Sequence, residues 1–290
     1  MKYLIVKGYL GFGDRLESLK MCIEYALKYN LQIYVDWRDS IWSHGDESFY
    51  TYFKLVNIPV LESLYDIPKE ATIFPEFWKD NLHKPMTEEM IHNQKENGIN
   101  LGLLDKEYDA DVIVCSCVGI RRLYNDSKFF ANVFRIADKR IIDEVLERQQ
   151  RYDLKNAIGV HIRGTDRVNS QHKREMSIQY TAVRTLMNGG FSGKALITVS
   201  DDRESMDIWR RFYPHTTLIT KYTLNHSHKK GVHNLSKEEV ESKDLLNVDM
   251  LCDFFTLASC NNIITTFGDS RFAREAIRLS PYIKRIIGNG

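Results

Sequence analysis

No stretch of this 290-residue sequence approaches the roughly 18 consecutive apolar residues that a membrane-spanning helix needs. The apolar run over residues 3–6 is also far too short for the core of a signal peptide, which predicts a cytoplasmic protein without stable membrane insertion. A formal net charge of +1 provides no global field that would attract nucleic acid. An anionic ligand therefore has to be met by a local site.

Cysteine is scarce as well, with five residues that show no C-x-x-C spacing. An odd number of thiols, mostly in apolar runs, is typical of reduced core cysteines and not of a disulfide framework. Three histidines, His226, His228 and His233, match no zinc pattern, so we expect a solvated loop there and no metal site. The Gly-x-Ser-x-Gly, Walker and His-Glu-x-x-His motifs are missing from the sequence, which argues against the commonest hydrolases, NTPases and zinc proteases.

What the sequence does contain is an alternation of short β-branched runs and helical patterns, which predicts parallel sheets built from β-α units. Predicted strands cover residues 3–7, 32–36, 111–115, the run from 157 up to Arg163, 195–199, 216–219 and 262–266. Predicted helices cover residues 14–29, 138–152 and 244–259. We expect an N-terminal Rossmann-like domain over 1–150 and a C-terminal one over 151–290, with the last helix free to pack back on the first domain.

Polar residues follow three of the predicted strands in the second half. They are Arg163 with Thr165 and Asp166, the run Ser200-Asp201-Asp202, and the run from Thr266 to Ser270. Because ligands bind outside the carboxyl ends of the strands in an open α/β sheet, these clusters predict a pocket of nucleotide size. Arg163 is the leading candidate, since a guanidinium fork matches phosphate geometry. The alternative is an ion pair between Arg163 and an aspartate that only closes the strand.

Several segments follow one another in the order of a known family. They are residues 11–16 (GFGDRL), 160–166 (VHIRGTD), 200–202 (SDD), 231–234 (GVHN), and Asp253 ahead of Thr266-Phe267. On these residues the chain resembles the GT-B fucosyltransferases of the α1,6 and nodulation type, which are related to the protein O-fucosyltransferases. The resemblance implies an α/β chain with two doubly wound Rossmann-like domains facing a central cleft. It also implies an inverting, metal-independent glycosyltransferase that needs no cofactor and transfers fucose from GDP-fucose to a glycan hydroxyl.

The resemblance further implies roles for individual residues. Arg163 would hold the β-phosphate and Asp166 would brace it, while His161 would lie beside the nucleotide and Asp253 would read the guanine edge. The other donor contacts are expected from Gly11, Phe12 and Gly13 in the N-terminal loop, from Ser200, Asp201 and Asp202 beside the nucleoside, and from the amides and hydroxyls of Thr266, Phe267, Gly268, Asp269 and Ser270.

Three positions depart from the pattern of the family. Gly164 stands where the α1,6 enzymes have a second arginine, and Gln171 stands where they have a glutamate. Asp269 places a negative charge where a serine is usual. Because a glutamine cannot accept a proton as a base, the catalytic base stays open among three carboxylates. In order of preference they are Asp14, Asp36 and Glu175.

Two other interpretations stay open. The three departures suggest a catalytically silent protein that binds a sugar nucleotide or a glycan. Alternatively, Gly8, Gly11 and Gly13 after the first strand, with Asp36 ending the second, imitate the fingerprint of an NAD-type oxidoreductase. That fingerprint lacks its third glycine and gives Arg163 no role. Within the enzyme interpretation, a different GDP-sugar such as GDP-mannose is also open.

Two further expectations concern residues outside the motifs. Four basic residues of helix 138–152 are expected on its solvent-exposed face: Lys139, Arg140, Arg148 and Arg151. The aromatic residues of the irregular insertion over 41–110 are expected to pack in a core in preference to stacking on sugar rings.

Overall fold

A computed structural model describes residues 2–99, 106–116, 126–165, 170–187, 193–226, 231 and 234–288. The chain forms two compact units, one made of Met1–Asp138 with Lys284–Gly290 and the other of Lys139–Ile283. Each unit contains a four-stranded sheet in which every described pairing is parallel. The predicted α/β architecture with two parallel sheets is confirmed.

The first unit is built around a sheet with the strand order β2-β1-β5-β4. Its elements in chain order are β1 (Tyr3–Lys7), α1 (Phe12–Lys28), β2 (Gln32–Asp36), α2 (Phe49–Tyr52), β3 (Phe53–Leu55), β4 (Ile73–Phe74), α3 (Glu88–His92), β5 (Val112–Ser116), α4 (Ser127–Val133) and β6 (Phe134–Ile136). All five residues of β1 are buried, as expected for a central strand that is covered on both faces. The short strands β3 and β6 form a separate antiparallel pair that the sequence analysis did not predict.

Helix α1 begins two residues earlier than predicted, so Phe12 and Gly13 lie in its first turn and not in the N-terminal loop. A glycine inside a helix costs about 1 kcal/mol relative to alanine, which is why the pattern favoured a later start. Tertiary packing outweighs that cost. The ring of Phe12 stacks on Trp42 and Phe53, with centroids 5.9 and 5.7 Å apart, and this contact holds the first turn.

Several aromatic residues of the insertion form a core, whereas Tyr65 and Phe74 are 84% and 37% exposed. Trp42, Phe49, Tyr52, Phe53 and Trp78 are all at most 2% exposed. Burying rings of this size contributes much of the hydrophobic stabilisation of a unit. The expectation of core packing is therefore confirmed for these residues.

The second unit carries a sheet with the strand order β10-β7-β8-β9. Its elements are α5 (Lys139–Arg151), β7 (Ile158–Ile162), α6 (Gln171–Met187), β8 (Leu196–Ser200), α7 (Arg203–Phe212), β9 (Thr217–Leu218), α8 (Lys243–Ser259), β10 (Asn262–Thr265) and α9 (Arg271–Leu279). The last helix, α10 (Ile283–Ile287), belongs to the first unit except for its first residue. From β7 the chain proceeds outward through β8 to β9, and it then returns on the other side of β7 as β10. The strand order therefore reverses between β7 and β10, and such a switch point is where open α/β sheets bind ligands.

None of the described helices is long and apolar enough to cross a membrane. Cys22, Cys115, Cys252 and Cys260 are buried and form no disulfide, as predicted. Cys117 lies outside the described residues.

Candidate functional site

The carboxyl ends of three neighbouring strands bring Arg163, Asp201 and Thr266 together. One guanidinium nitrogen of Arg163 lies 2.6 Å from Oδ2 of Asp201, which follows β8. The backbone N–H of Arg163 donates to Oγ1 of Thr266, which follows β10, at 3.0 Å. The Arg163 side chain is 19% exposed, so it is fixed by the protein and still reachable by a ligand.

Asp201 organises the turn that carries Arg163. Besides the guanidinium, its carboxylate accepts the backbone N–H of Gly164 at 2.8 Å and the hydroxyl of Thr165 at 2.7 Å. Asp201 therefore has the bracing role that the resemblance implied for Asp166, a residue that lies outside the described ones. The two interpretations of Arg163 therefore apply together: it forms an ion pair with an aspartate at the end of the strand, and that aspartate belongs to the polar cluster at the strand ends.

Gly164 is required by the packing around it. A Cβ atom at this position would lie 2.1 Å from Oγ of Ser205 and 2.6 Å from Cβ of Asp202. Asp202 is the N-cap of α7, where its carboxylate accepts the backbone N–H of Ser205 at 2.8 Å. The second arginine of the family pattern cannot be placed here unless the start of α7 moves.

His161 is a buried, neutral residue near the carboxyl end of β7, two positions before Arg163. Its Nδ1 lies 3.0 Å from Oγ1 of Thr265, and its ring stacks on Phe272 with centroids 5.3 Å apart. Burial, and to a smaller extent the charge of Arg163, lowers the pKa of His161 to about 3. The imidazole therefore joins β7 to β10 and to α9 without adding a positive charge to the site.

The turn after β10 leads directly into a helix N-terminus. The backbone N–H of Thr266 donates to the carbonyl of His161 at 3.0 Å, and Ser270 caps α9 by accepting the N–H of Ala273 at 3.3 Å. Thr266 and Ser270 are buried, Phe267 is half-buried, and Gly268 and Asp269 are exposed. The first N–H groups of a helix favour anions, so this turn suits a phosphate beside Arg163.

Asp253 on α8 is bonded inside the protein through both of its oxygens. Oδ1 lies 2.9 Å from a guanidinium nitrogen of Arg148, and Oδ2 accepts the hydroxyl of Thr220 just after β9. Oγ1 of Thr220 in turn accepts the backbone N–H of Ser200 at 3.1 Å. Asp253 is thus connected through Thr220 to Ser200, the last residue of β8, which directly precedes Asp201.

Arg148 is the site residue that sequence reasoning missed. The prediction that Arg148 lies on the solvent-exposed face of its helix is wrong. Arg148 is 4% exposed, and its guanidinium also bonds Glu144 at 2.8 Å. The cause is the side of α5 on which it lies. Ile141, Val145 and Arg148 are spaced four and three residues apart and are all buried. The same spacing, read from the sequence, could have placed the arginine on the buried face.

The two buried titratable groups should give opposite pH dependences of stability. Burial, with the nearby Asp249, raises the pKa of Asp253 to about 7 against the effect of Arg148 and Thr220, whereas the pKa of His161 is lowered to about 3. Between about pH 4 and 6, Asp253 is deprotonated in the unfolded chain but still protonated in the folded protein. His161 is the reverse: it is protonated in the unfolded chain and neutral in the folded protein. Asp253 therefore lowers the free energy of unfolding as pH rises, and His161 raises it.

We expect His161→Asn and Asp253→Asn to separate these two contributions in urea unfolding measured from pH 4 to 7. Over this range the stability of the wild type relative to His161→Asn should rise with pH by about 1 kcal/mol per unit, and relative to Asp253→Asn it should fall by a similar amount. Parallel pH profiles for the two variants would contradict both pKa assignments.

The predicted residues of the first unit lie around the start of α1. Gly11 is its N-cap, Phe12 and Gly13 are buried in the first turn, and Asp14 is half-buried. Gly8 is needed by the protein itself, because a Cβ there would lie 2.1 Å from a guanidinium nitrogen of Arg15.

Asp36 does not present a free carboxylate. Its oxygens bond Lys7 at 2.6 Å and Arg38 at 2.6 and 3.0 Å, and the residue is 1% exposed. Although burial acts to raise it, the pKa of Asp36 is lowered by these two cations. A buried carboxylate with two cationic partners is a poor base, and it is not available to the ribose of a dinucleotide.

Metal ligands were not expected, and the described residues include no group of three or more His, Cys, Asp or Glu side chains arranged to hold a metal ion. His228 and His233 lie outside the described residues, and the side chains of His226 and Gln171 are not described. The remaining base candidate, Glu175, is half-buried on α6.

The chain resembles known proteins in its fold but not detectably in its sequence. No protein-family model and no curated protein matches the chain by sequence. Solved structures do match. The fucosyltransferase NodZ from Bradyrhizobium aligns with a TM-score of 0.71 at 18% identity, covering 95% of this chain and 92% of that one.

Two further structures have the same fold. NodZ alpha-1,6-fucosyltransferase soaked with GDP-fucose aligns with a TM-score of 0.70 at 18% identity, covering 96% of this chain and 93% of that one. A mutant of Arabidopsis thaliana FUT1 in complex with GDP aligns with a TM-score of 0.55 at 14% identity over 97% of this chain and 68% of that one. The chain therefore has the GT-B fold that these fucosyltransferase structures share, as the resemblance of its motifs implied.

Proposed function

We propose that the protein is an inverting glycosyltransferase that transfers fucose from GDP-fucose to a glycan hydroxyl without a metal ion. The observation that carries the proposal is Arg163, which Asp201 and Thr266 hold at the switch point of the second sheet. Support also comes from the likeness of the fold to a fucosyltransferase that was soaked with GDP-fucose. No cofactor is needed in this proposal, because the donor itself supplies the leaving group.

The charge distribution at Arg163 suits the departure of a diphosphate. Glycosyl transfer passes through an oxocarbenium-like transition state, in which negative charge grows on the departing group. A permanently charged guanidinium, held in place before the donor arrives, stabilises that charge without reorganisation. The N–H groups at the start of α9 would add to this effect beside Ser270. Together they supply the stabilisation that a metal ion provides in other enzymes.

Asp14 is our proposed base for the acceptor hydroxyl. Asp36 is 1% exposed and held by two cations, whereas Asp14 is half-buried in the first turn of α1. We expect Asp14→Asn to lower acceptor-dependent turnover by about 100-fold, a typical loss for a missing general base, with unchanged affinity for GDP. Glu175→Gln is the matched control and should leave both quantities unchanged; the reverse result would move the base to Glu175.

The experiment that tests the proposal measures release of free nucleoside diphosphate from GDP-fucose, GDP-mannose and UDP-sugars, with EDTA present and a panel of glycan acceptors. The expected result is acceptor-stimulated, EDTA-resistant release from GDP-fucose. Release from GDP-mannose in its place would contradict the fucosyl assignment. Loss of release in EDTA would contradict metal independence.

Binding of GDP, measured by calorimetry on the same samples, distinguishes the other outcomes. If GDP binds and no donor turns over, the protein is a silent sugar-nucleotide binder. If GDP does not bind at all, the nucleotide site proposed around Arg163 is wrong.

A further inference from the structure

Helix α6 presents an apolar stripe to solvent. Met176, Tyr180, Val183 and Met187 are 56%, 70%, 43% and 81% exposed. They are spaced four, three and four residues apart, so they lie in one line along the helix. Large apolar side chains that are exposed as a continuous group mark interaction surfaces more often than apolar residues scattered singly.

The opposite side of α6 fixes the direction of this stripe. Ile178 and Ala182 are buried in the core of the second unit, where they belong to the same cluster as Met206 and Trp209 of α7. The hydroxyl of Tyr213 donates to the carbonyl of Ala182 at 3.0 Å. The helix is therefore held firmly by its inner face, and the stripe points away from the unit that carries it.

The residues that border the stripe have cationic or neutral polar side chains. The exposed side chains of α6, among those described, are the stripe together with His172, Lys173, Gln179 and Arg184. Helical spacing places Lys173 and Arg184 along one edge of the stripe, three turns apart. Among the described side chains of α6, the exposed face thus carries two permanent cations and no carboxylate, since Glu175 is half-buried.

We propose that this face of α6 docks on an anionic lipid membrane, with the stripe inserted among the headgroups and Lys173 and Arg184 at the phosphates. Apolar residues on one face of a helix and Lys or Arg beside them are the pattern of helices that lie in the membrane interface. Tyrosine is enriched at the headgroup level, which suits Tyr180 at the middle of the stripe. The cations provide the charge complementarity to anionic lipids.

A second copy of the chain fits this face less well than a lipid surface. A helix of 17 residues is about 25 Å long and about 10 Å wide, so its exposed face covers roughly 250 Å². A stable protein interface buries about 800 Å² on each partner. Pairing two copies would also bring the like charges of Lys173 and Arg184 together. A membrane needs no complementary shape and offers the opposite charge.

The test is flotation of the full chain with vesicles of phosphatidylcholine alone or mixed in equal parts with phosphatidylglycerol. We expect binding to the mixed vesicles that is at least about tenfold tighter than to the neutral ones and that weakens with added salt. The stripe variant Met176→Ser, Tyr180→Ser, Met187→Ser and the charge variant Lys173→Glu, Arg184→Glu should each bind at least about tenfold more weakly.

The matched control replaces two apolar residues that are equally exposed on other helices. Leu245 and Ile277 are 47% and 49% exposed, and Leu245→Ser with Ile277→Ser should bind vesicles like the wild type. All substituted positions are exposed, so an unchanged thermal midpoint is expected and shows that each variant is folded.

Three outcomes would overturn the proposal. The first is a wild type that does not float with the mixed vesicles, and the second is a stripe variant that floats as well as the wild type. The third is a dimer of the wild type, seen by sedimentation, that the stripe variant dissociates, since the face would then be a protein contact. No nucleotide is present in the assay, so its result is independent of the proposed glycosyl transfer.

Discussion

Replacing Arg163 with alanine is expected to lower the kcat of acceptor-dependent GDP release by about 100- to 1000-fold. The guanidinium is the charged group that the strand ends hold in place, with Asp201 at 2.6 Å and Thr266 bonding its backbone. Because Arg163 would also bind the diphosphate before the bond breaks, KM should rise as well, and kcat/KM should fall by a larger factor than kcat. Arg163→Lys keeps the charge without the fork and should fall between wild type and Arg163→Ala.

Two controls separate chemistry from folding in this measurement. Arg210 is an exposed arginine on α7 whose distance to Asp207 is 4.0 Å, and Arg210→Ala should leave turnover unchanged. Arg163→Ala leaves Asp201, which is 8% exposed, without its cation, so the thermal midpoint should fall, although the N–H of Gly164 and the hydroxyl of Thr165 remain as donors; turnover is therefore compared well below that midpoint. A folded Arg163→Ala protein with wild-type kcat would remove Arg163 from the reaction.

Replacing Arg148 with methionine is expected to cost about 3–5 kcal/mol of stability, because it leaves a buried carboxylate without its cation. Asp253 is 4% exposed, and Arg148 contributes the bond to its Oδ1 at 2.9 Å. Urea unfolding at pH 9, above the raised pKa of about 7 of Asp253, measures the change for the ionised carboxylate. The double variant Arg148→Met, Asp253→Leu removes both charges and should recover most of the loss, since a buried ion pair is often replaceable by apolar groups.

A matched control lies on the same two helices. Arg140 of α5 bonds Asp244 of α8 at 2.6 and 2.9 Å, but these side chains are 49% and 32% exposed. Because water screens an exposed pair, Arg140→Met should cost no more than about 1 kcal/mol. If both arginine variants lost the same amount, burial of the Arg148 pair would not be the source of its effect.

Most of the strands could be predicted from the sequence. Residues 3–7 and 32–36 form β1 and β2 as predicted, and β5 and β8 are each shifted by one residue. Strands of a parallel sheet are covered on both faces, so they appear in the sequence as unbroken apolar runs. Strands β3, β4 and β6 are two or three residues long and depend on partners that are remote in the chain, as in the pairing of Phe53 with Ile136.

The candidate site was predictable in position and not in its internal bonding. Arg163, Asp201 and Thr266 each follow a predicted strand, and parallel strands end at one edge of a sheet. Their sequence positions do not say which carboxylate braces the arginine. That role belongs to Asp201, 36 residues away from the Thr165 hydroxyl that it also accepts. Gly164 likewise has its reason only in the contact with Ser205 and Asp202 at the start of α7.

The sequence by itself determined the fold class, the two parallel sheets and the three polar strand ends, because hydrophobic periodicity and the order of strands are local properties of the chain. Only the tertiary structure decided that Arg148 is buried and that it bonds Asp253 across 105 residues of sequence. It also decided the opposite pKa shifts of Asp253 and His161, since desolvation depends on which groups surround a side chain after folding. Burial and choice of partner are set by the assembled fold, and no local pattern contains them.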